Sequence, residues 1–262
     1  LATLKLPQDR LEPFLDARLT RAERLAVWNA LQQRITRRLP TAYIAQEAWL
    51  GSFRFYVDER VIVPRSYFAE LLEDGMAPWV EDPEKITSAL DLCTGSGCLA
   101  ILMAHVFPQA QIDAIDLSSA ALCVAQRNIA DYALQGRVEA VESDLFAAVA
   151  GKRYDLILSN PPYVTAAAMD ALPAEYRHEP ALALAAGHDG LDVVRRILAE
   201  AANHLNPGGF IVIEVGHNRD LVEAAFPDLS AVWLDTTSSS EKVFLVNYDS
   251  LREYASTHAA TD

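Results

Sequence analysis

From Ile86 onward the chain alternates short apolar runs with longer amphipathic ones, and this rhythm limits its possible folds more than any other feature. Strands are expected near 87–93, 111–116, 137–142, 154–159 and 209–215, with helices at 97–107, 118–134 and 189–205. Apolar runs such as "LILS" suit strands buried on both faces, and strands separated by helix-length segments pair in parallel. The expected class is therefore α/β, with a doubly wound parallel sheet between helices. Two last strand-like runs, "AVWLDT" and "KVFLVN", lie close enough in sequence to pair antiparallel at the sheet edge.

The region before Ile86 has a different texture. Residues 8–38 carry apolar stripes at Leu11, Phe14 and Leu15, then Leu25, Trp28 and Leu31, which predicts helix, and Arg34, Arg37 and Arg38 read as its solvated face rather than a basic contact patch. Two strand-like stretches in "AWLGSFRFYVDERVIVPRS" suggest a hairpin, and a helix is expected from Tyr67 to Trp79. The polar, proline-punctuated stretch "APWVEDPEK" marks a boundary between an N-terminal helical and hairpin domain, 1–80, and a second domain, 81–262.

Composition narrows the function classes. With 51% hydrophobic residues in 262, the chain can bury a sizeable core. Its 22 basic and 36 acidic side chains, net −14, argue against a surface that tracks phosphates and suit a basic protein partner. No apolar run is long enough to span a bilayer and no secretory leader is visible, so neither a membrane nor export is expected. Three cysteines (Cys93, Cys98 and Cys123) are too few for a disulfide scaffold and lack zinc-ligand spacing; they imply a reducing, cytoplasmic setting and no metal.

The chemistry-bearing residues fall at the carboxyl ends of successive expected strands, where open α/β sheets bind ligands. After the first comes "DLCTGSGC", whose Gly95 and Gly97 let backbone approach a ligand closely; alone, this loop also matches a dinucleotide fingerprint. Asp116 ends the second strand and suits either a ribose hydroxyl pair or a helix N-cap. Asp144 follows the third and could receive an adenine amine or cap the next helix. One adenosine-containing cofactor could touch all three. The fourth strand ends in Asn160-Pro161-Pro162-Tyr163. Pro lacks the N–H of a strand ladder and fixes φ, which terminates the strand and frees a carbonyl. The Asn160 side-chain oxygen and that carbonyl could grip both N–H bonds of a planar NH2 group, and Tyr163 offers a flat face. Methylating such a weak, delocalised nitrogen calls for these acceptors, which favour its cationic transition state.

Asn-Pro-Pro-Tyr beside "DLCTGSGC", Asp116 and Asp144 resembles the S-adenosylmethionine-dependent amino-group methyltransferases. "PTAYI", "FYVDERVIVPRS", "NPPYV", "LPAEYRHEP" and "GHDGLDVVRRIL" narrow the resemblance to the protein-glutamine methyltransferases (HemK/Prm) that act on large-subunit ribosomal protein L-three, the PrmB family, from Arg34 to Val246. The release-factor branch typically reads Ile-Pro-Arg-Pro and an acid where this chain has Val63-Pro64-Arg65-Ser66, and it lacks "EYRHEP". The resemblance implies a class I, Rossmann-like methyltransferase sheet, S-adenosylmethionine as cofactor, and ribosomal protein L-three or a ribosome assembly intermediate as partner. Thr94, Gly95 and Gly97 would lie against the methionine part of the cofactor. Asp116 would bind the ribose, and Asp144 with Leu145 would border the adenine. Asn160 and the Pro161 carbonyl would hold the glutamine amide, beside Pro162 and Tyr163. Cys93 replaces the first glycine of the wider loop pattern, and Leu145 stands where release-factor enzymes can carry Trp. His178 and Glu179 are read as structural or substrate-positioning, and His178 not as a base. Arg65 either salt-bridges within the fold or lines the substrate entrance. A nucleic-acid amino-methyltransferase would need a basic groove, a nicotinamide oxidoreductase leaves Asn-Pro-Pro-Tyr idle, and a non-catalytic scaffold would not need the clamp.

Overall fold

The computed structural model describes residues 1–7 and 10–258. The long N-terminal helix expected from residue 8 is broken in two: a 3-10 turn at Glu12–Phe14 that carries Pro13, then α1 at Arg21–Arg37. Residues 8 and 9 lie outside the described residues. Thr20 starts α1 with a capping box, its side chain accepting from the Glu23 N–H at 3.3 Å while Glu23 accepts from the Thr20 N–H at 2.7 Å. The apolar stripe of α1 faces outward, with Leu25, Trp28 and Ile35 exposed.

Next come α2 (Thr41–Ala45) and a short antiparallel hairpin, β1 (Ala48–Leu50) with β2 (Phe53–Phe55), which turns at Gly51 with φ +56°. The rest of the second strand-like stretch, 56–66, is irregular backbone. The helix expected at 67–79 shortens to α3, Phe68–Glu73, because Gly75 and Met76 enter the left-handed region right after it. Phe68, Leu72 and Met76 are fully buried and share one core with Ala89, Leu156 and Leu158 of the main sheet.

That sheet has seven strands: β3 (Ser88–Leu92), β4 (Gln111–Asp116), β5 (Val138–Glu142), β6 (Tyr154–Ser159), β7 (Leu205–Glu214), β8 (Val232–Leu234) and β9 (Val243–Asn247). Their order is β5-β4-β3-β6-β7-β9-β8. The first five named in that order are parallel; β9 runs antiparallel to β7 and to β8, so the expected pair of C-terminal strands does close one edge. Between them lie α4 (Cys98–Val106), α5 (Ser119–Asp131), α6 (Ala166–Ala171), α7 (Asp192–Ala201) and α8 (Arg219–Ala225), followed by α9 (Tyr248–His258). Successive side chains alternate between faces, so Leu156 and Leu158 join the α4 side while Ile157 joins Val194, Ile197 and Leu198 of α7. The winding reverses between β3 and β6. A crevice opens there at the carboxyl ends of the strands, which receives the glycine loop from one side and Asn-Pro-Pro-Tyr from the other. No helix of the described residues is long and apolar enough to cross a membrane.

Candidate active site

The turn after β3 is held from below by a buried carboxylate. Asp91 accepts from the Thr94 hydroxyl and, at 2.9 Å, from the Ala100 N–H, and burial pushes its carboxyl up to about 7. Gly97 has φ +78° and caps α4, and a Cβ there would come within 3.1 Å of Ala125 on α5. Its N–H donates to the Thr94 carbonyl at 3.0 Å. Cys93 adopts φ +68°. A residue with a Cβ carries roughly 1–2 kcal/mol of strain in this region. Asn128 of α5 ties the loop to the hairpin exit, its side-chain NH2 donating to the Ser96 carbonyl at 2.9 Å and to the Tyr56 carbonyl at 3.0 Å.

Asp116 sits half-buried at the end of β4 and accepts from the Gly95 N–H (2.8 Å) and the Ser118 N–H (2.9 Å). Burial pushes its carboxyl up, against those two bonds. The N-cap reading is realised only in part: Asp116 braces the start of α5, but the capping side chain itself is Ser118, which accepts from the Ala121 N–H at 3.2 Å. Asp144 is exposed and pairs with Arg196 of α7 at 2.9 Å. Leu145 is buried with φ +50°.

These groups meet in a cavity of about 210 Å³, lined by Gly95, Asp116, Asp144, Leu145, Asn160 and Pro162 among others. Thr94 and Gly97 do not line it: the first turns inward to Asp91 and the second packs against Ala125. A second cavity of about 500 Å³ is lined by Asn160, Pro161, Tyr163, Ser66, Tyr67, Tyr176 and Glu214. Asn160 borders both. A larger cavity of about 840 Å³, lined by Ser88, Gln111, Arg137 and Arg153, gathers residues from the starts of strands and contains none of these groups.

Two segments roof the paired cavities. Residues 60–67 and 172–185 both contribute lining side chains. They are clasped by Glu179, buried, which accepts from the Val63 N–H at 3.2 Å and from Arg65 at 2.6 Å. Arg65 also lies 4.6 Å from the Tyr176 ring centroid. Arg65 thus forms the expected salt bridge within the fold, and it also lines the second cavity. Glu175 draws in α1 through Arg34 (2.6 Å) and Arg38 (2.7 Å), and the His178 ring nitrogen Nε2 meets the Arg37 carbonyl at 2.7 Å. His178 therefore serves the joint with α1 and lines neither cavity. Arg34 and Arg38, expected on a solvated face, are engaged by an acid 137–141 positions away that no local pattern announces.

An adenosyl cofactor with a methionine tail fits these residues. At Gly95, with φ +55°, an added Cβ would meet nothing of the chain within 4 Å, so the backbone borders open cavity. A carboxylate fixed by two backbone donors stands beside it, with apolar walls from Ile62, Leu145 and Leu182 around them.

Comparison with known proteins agrees with this geometry. The family model described as Methyltransferase small domain matches residues 76–175. Ribosomal protein uL3 glutamine methyltransferase of Bordetella pertussis strain Tohama I is 58% identical, with 95% of this chain and 83% of the relative covered. Its namesake in Neisseria gonorrhoeae strain FA 1090 is 54% identical over 96% and 84%. This chain belongs to the uL3 glutamine methyltransferase family. It is an S-adenosylmethionine-dependent methyltransferase of class I fold. Among solved structures, a methyltransferase from Pyrococcus furiosus superposes with TM-score 0.56 at 19% identity, covering 83% of this chain and 98% of that one. The delta-N METTL16 MTase domain gives 0.52 at 11%, covering 85% and 94%. At such identities they speak for the fold alone.

Residue-level reading missed Arg196 and Glu214, whereas Glu179 takes the structural part expected of it. Arg196 had a faint signal in the amphipathic stretch "GLDVVRRIL", where Val194, Ile197 and Leu198 go to the core and the arginines turn outward. Glu214 had none, since it acts on a segment more than a hundred residues away.

Proposed function

We propose that this chain methylates the side-chain amide nitrogen of a glutamine in ribosomal protein uL3, the L-three protein of the large subunit. One observation carries the reading: Asn160 is the wall shared by the smaller cavity, which holds Gly95 and Asp116, and the larger one beside Tyr163. In this reading the smaller cavity holds S-adenosylmethionine, with Asp116 accepting from the ribose hydroxyls and Asp144 and Leu145 beside the adenine. S-adenosylmethionine supplies a methyl group on a cationic sulfur.

The chain's own work is positional. Amide nitrogen is a poor nucleophile because its lone pair is shared with the carbonyl. Asn160 Oδ1 and the Pro161 carbonyl accept its two N–H bonds, hold it toward the smaller cavity and stabilise the positive charge that grows on nitrogen as it bonds. Pro161 and Pro162 keep those acceptors rigid, since fixed φ angles leave little to reorganise. Tyr163 backs the clamp with its ring against Gly216, where an added Cβ would lie 2.8 Å from the ring. Once methylated the nitrogen is strongly acidic and loses its proton without a dedicated base, so His178 has no part to play.

The domain 1–80 serves protein recognition in this scheme, through the hairpin exit that roofs both cavities. A net charge of −14 favours approach by a basic ribosomal protein, free or within an assembly intermediate, in the cytoplasm, and disfavours a nucleic-acid substrate. The test uses labelled S-adenosylmethionine with three acceptors: uL3, a class-one release factor and duplex DNA. N-methylglutamine in uL3 alone is expected. Label in the release factor would overturn the substrate, and label in DNA would overturn the partner class.

A further inference from the structure

Glu214 closes β7 and is 1% exposed, yet it belongs to the wall of the larger cavity beside Asn160, Pro161 and Tyr163. A buried carboxylate is costly unless donors surround it. Two donors reach Glu214 from one distant segment: the Ser66 hydroxyl at 2.6 Å and the Tyr67 N–H at 3.1 Å, both on Oε2. The Tyr163 hydroxyl neighbours the same carboxylate, from the clamp side. Burial pushes the Glu214 carboxyl up to about 7, and these donors oppose the shift.

The clamp segment is held at two more points. The Tyr163 ring lies against Gly216, and the Tyr163 carbonyl accepts from the Asn218 side chain at 2.7 Å. Three stretches far apart in sequence, 66–67, 160–163 and 214–218, are thus knotted at one carboxylate and its neighbours. An apolar side chain at 214 would fill the same buried volume without the desolvation cost, but it would leave the Ser66 hydroxyl and Tyr67 N–H without an acceptor and release the cavity wall they form.

We infer that Glu214 is a positioning residue for methyl transfer, pinning Ser66–Tyr67 and Tyr163 so that the acceptor cavity is already shaped around the glutamine amide before the protein substrate arrives. This rests on reading the larger cavity as the acceptor site. Glu214 lines that cavity and not the smaller one, so the knot controls turnover and leaves cofactor binding alone.

The experiment compares Glu214→Ala, Glu214→Gln and Ser66→Ala in the full chain. It measures kcat and KM for uL3, the dissociation constant for S-adenosylhomocysteine, and amide hydrogen exchange over 61–68 and 160–165. Glu214→Ala should lower kcat roughly tenfold or more, the scale of a modest misplacement of reacting groups. Cofactor affinity should stay within about twofold, because positioning for the chemical step is separate from cofactor binding. Glu214→Gln should recover most of the loss, since its carbonyl oxygen still accepts from Ser66 and Tyr67. Ser66→Ala should fall in the same direction, and combining it with Glu214→Ala should add nothing further. Exchange over both segments should quicken together in Glu214→Ala. Wild-type kcat in Ser66→Ala and Glu214→Ala overturns the inference, as does parallel loss of kcat and cofactor affinity in all three variants. If the wild-type chain transfers no methyl to uL3, the substrate reading fails. The knot is then judged by exchange alone, where unchanged rates in Glu214→Ala refute it.

Discussion

Gly95 and Gly97 are two residues apart in one loop and both adopt positive φ, but the structure assigns them different work, and alanine separates the two. At Gly97 (φ +78°) an added Cβ meets the Ala125 Cβ at 3.1 Å and its Cα at 3.2 Å. Ala125 is fully buried in α5, so its backbone must yield by a few tenths of an ångström inside a packed core. Left-handed strain costs an Ala about 1–2 kcal/mol, and overpacking a tight contact adds about 1–3 kcal/mol. Gly97→Ala should therefore lose about 2–5 kcal/mol, a large share of a typical domain's stability. Gly95→Ala pays only the strain, about 1–2 kcal/mol, because nothing of the chain lies within 4 Å of the added carbon. Its methyl group instead stands at the wall of the smaller cavity. Urea unfolding of the ligand-free variants gives the first quantity, and calorimetric titration with S-adenosylhomocysteine gives the second. Expected is a moderately stable Gly95→Ala that binds the cofactor product at least roughly tenfold more weakly, the effect of about 1.4 kcal/mol of lost contact. Beside it, Gly97→Ala should be much less stable. Equal stabilities would refute the contact with Ala125 as the deciding constraint, and normal binding by Gly95→Ala would refute the cofactor assignment of the cavity.

Asn160→Ala should reduce the methyl-transfer rate roughly 10²-fold, the scale of losing one preorganised polar contact to developing charge, with the cofactor dissociation constant little changed; near-normal turnover would sink the clamp. Asp116→Ala should act the other way round, weakening S-adenosylhomocysteine binding in a titration, and an unaltered constant would remove Asp116 from the ribose role. Stability should also depend on pH in a traceable way. Asp91 and Glu214 are pushed up to about 7 by burial, so between pH 4.5 and 7 the folded chain binds more protons than the unfolded chain and loses stability as pH rises through that window. Asp58 and Asp189 are held near 2, chiefly by Arg60 and Arg195, and their contribution is present above pH 4 and fades as pH falls toward 2. Unfolding midpoints measured from pH 4.5 to 8.5 should show a shallower decline in Glu214→Gln than in the wild-type chain, and identical slopes would contradict the buried-acid account.

What the sequence determined by itself was local. Strand-length apolar runs, the glycine loop, Asp116 and the double proline are short-range signals, because each depends on backbone preferences of a few consecutive residues. They sufficed for the parallel strands, for the C-terminal pair Val232–Leu234 and Val243–Asn247, and for placing the notable residues at strand ends. Local signals also misled where neighbours overrode them: the helix expected at 8–38 yields to Pro13 and the Thr20 cap, and the one expected at 67–79 stops at Glu73. Only the tertiary structure decided which strands adjoin. Setting β6 beside β3 brings Asn160 to the glycine loop's cavity. It also decided the pairs that shape the site: Asp144 with Arg196, Glu179 with Val63 and Arg65, Glu175 with Arg34 and Arg38, and Glu214 with Ser66 and Tyr67. Each such pair joins segments whose separation along the chain carries no periodicity. A carboxylate looks the same in sequence whether water or a donor from a hundred residues away will surround it, and burial by the folded sheet is what makes that difference.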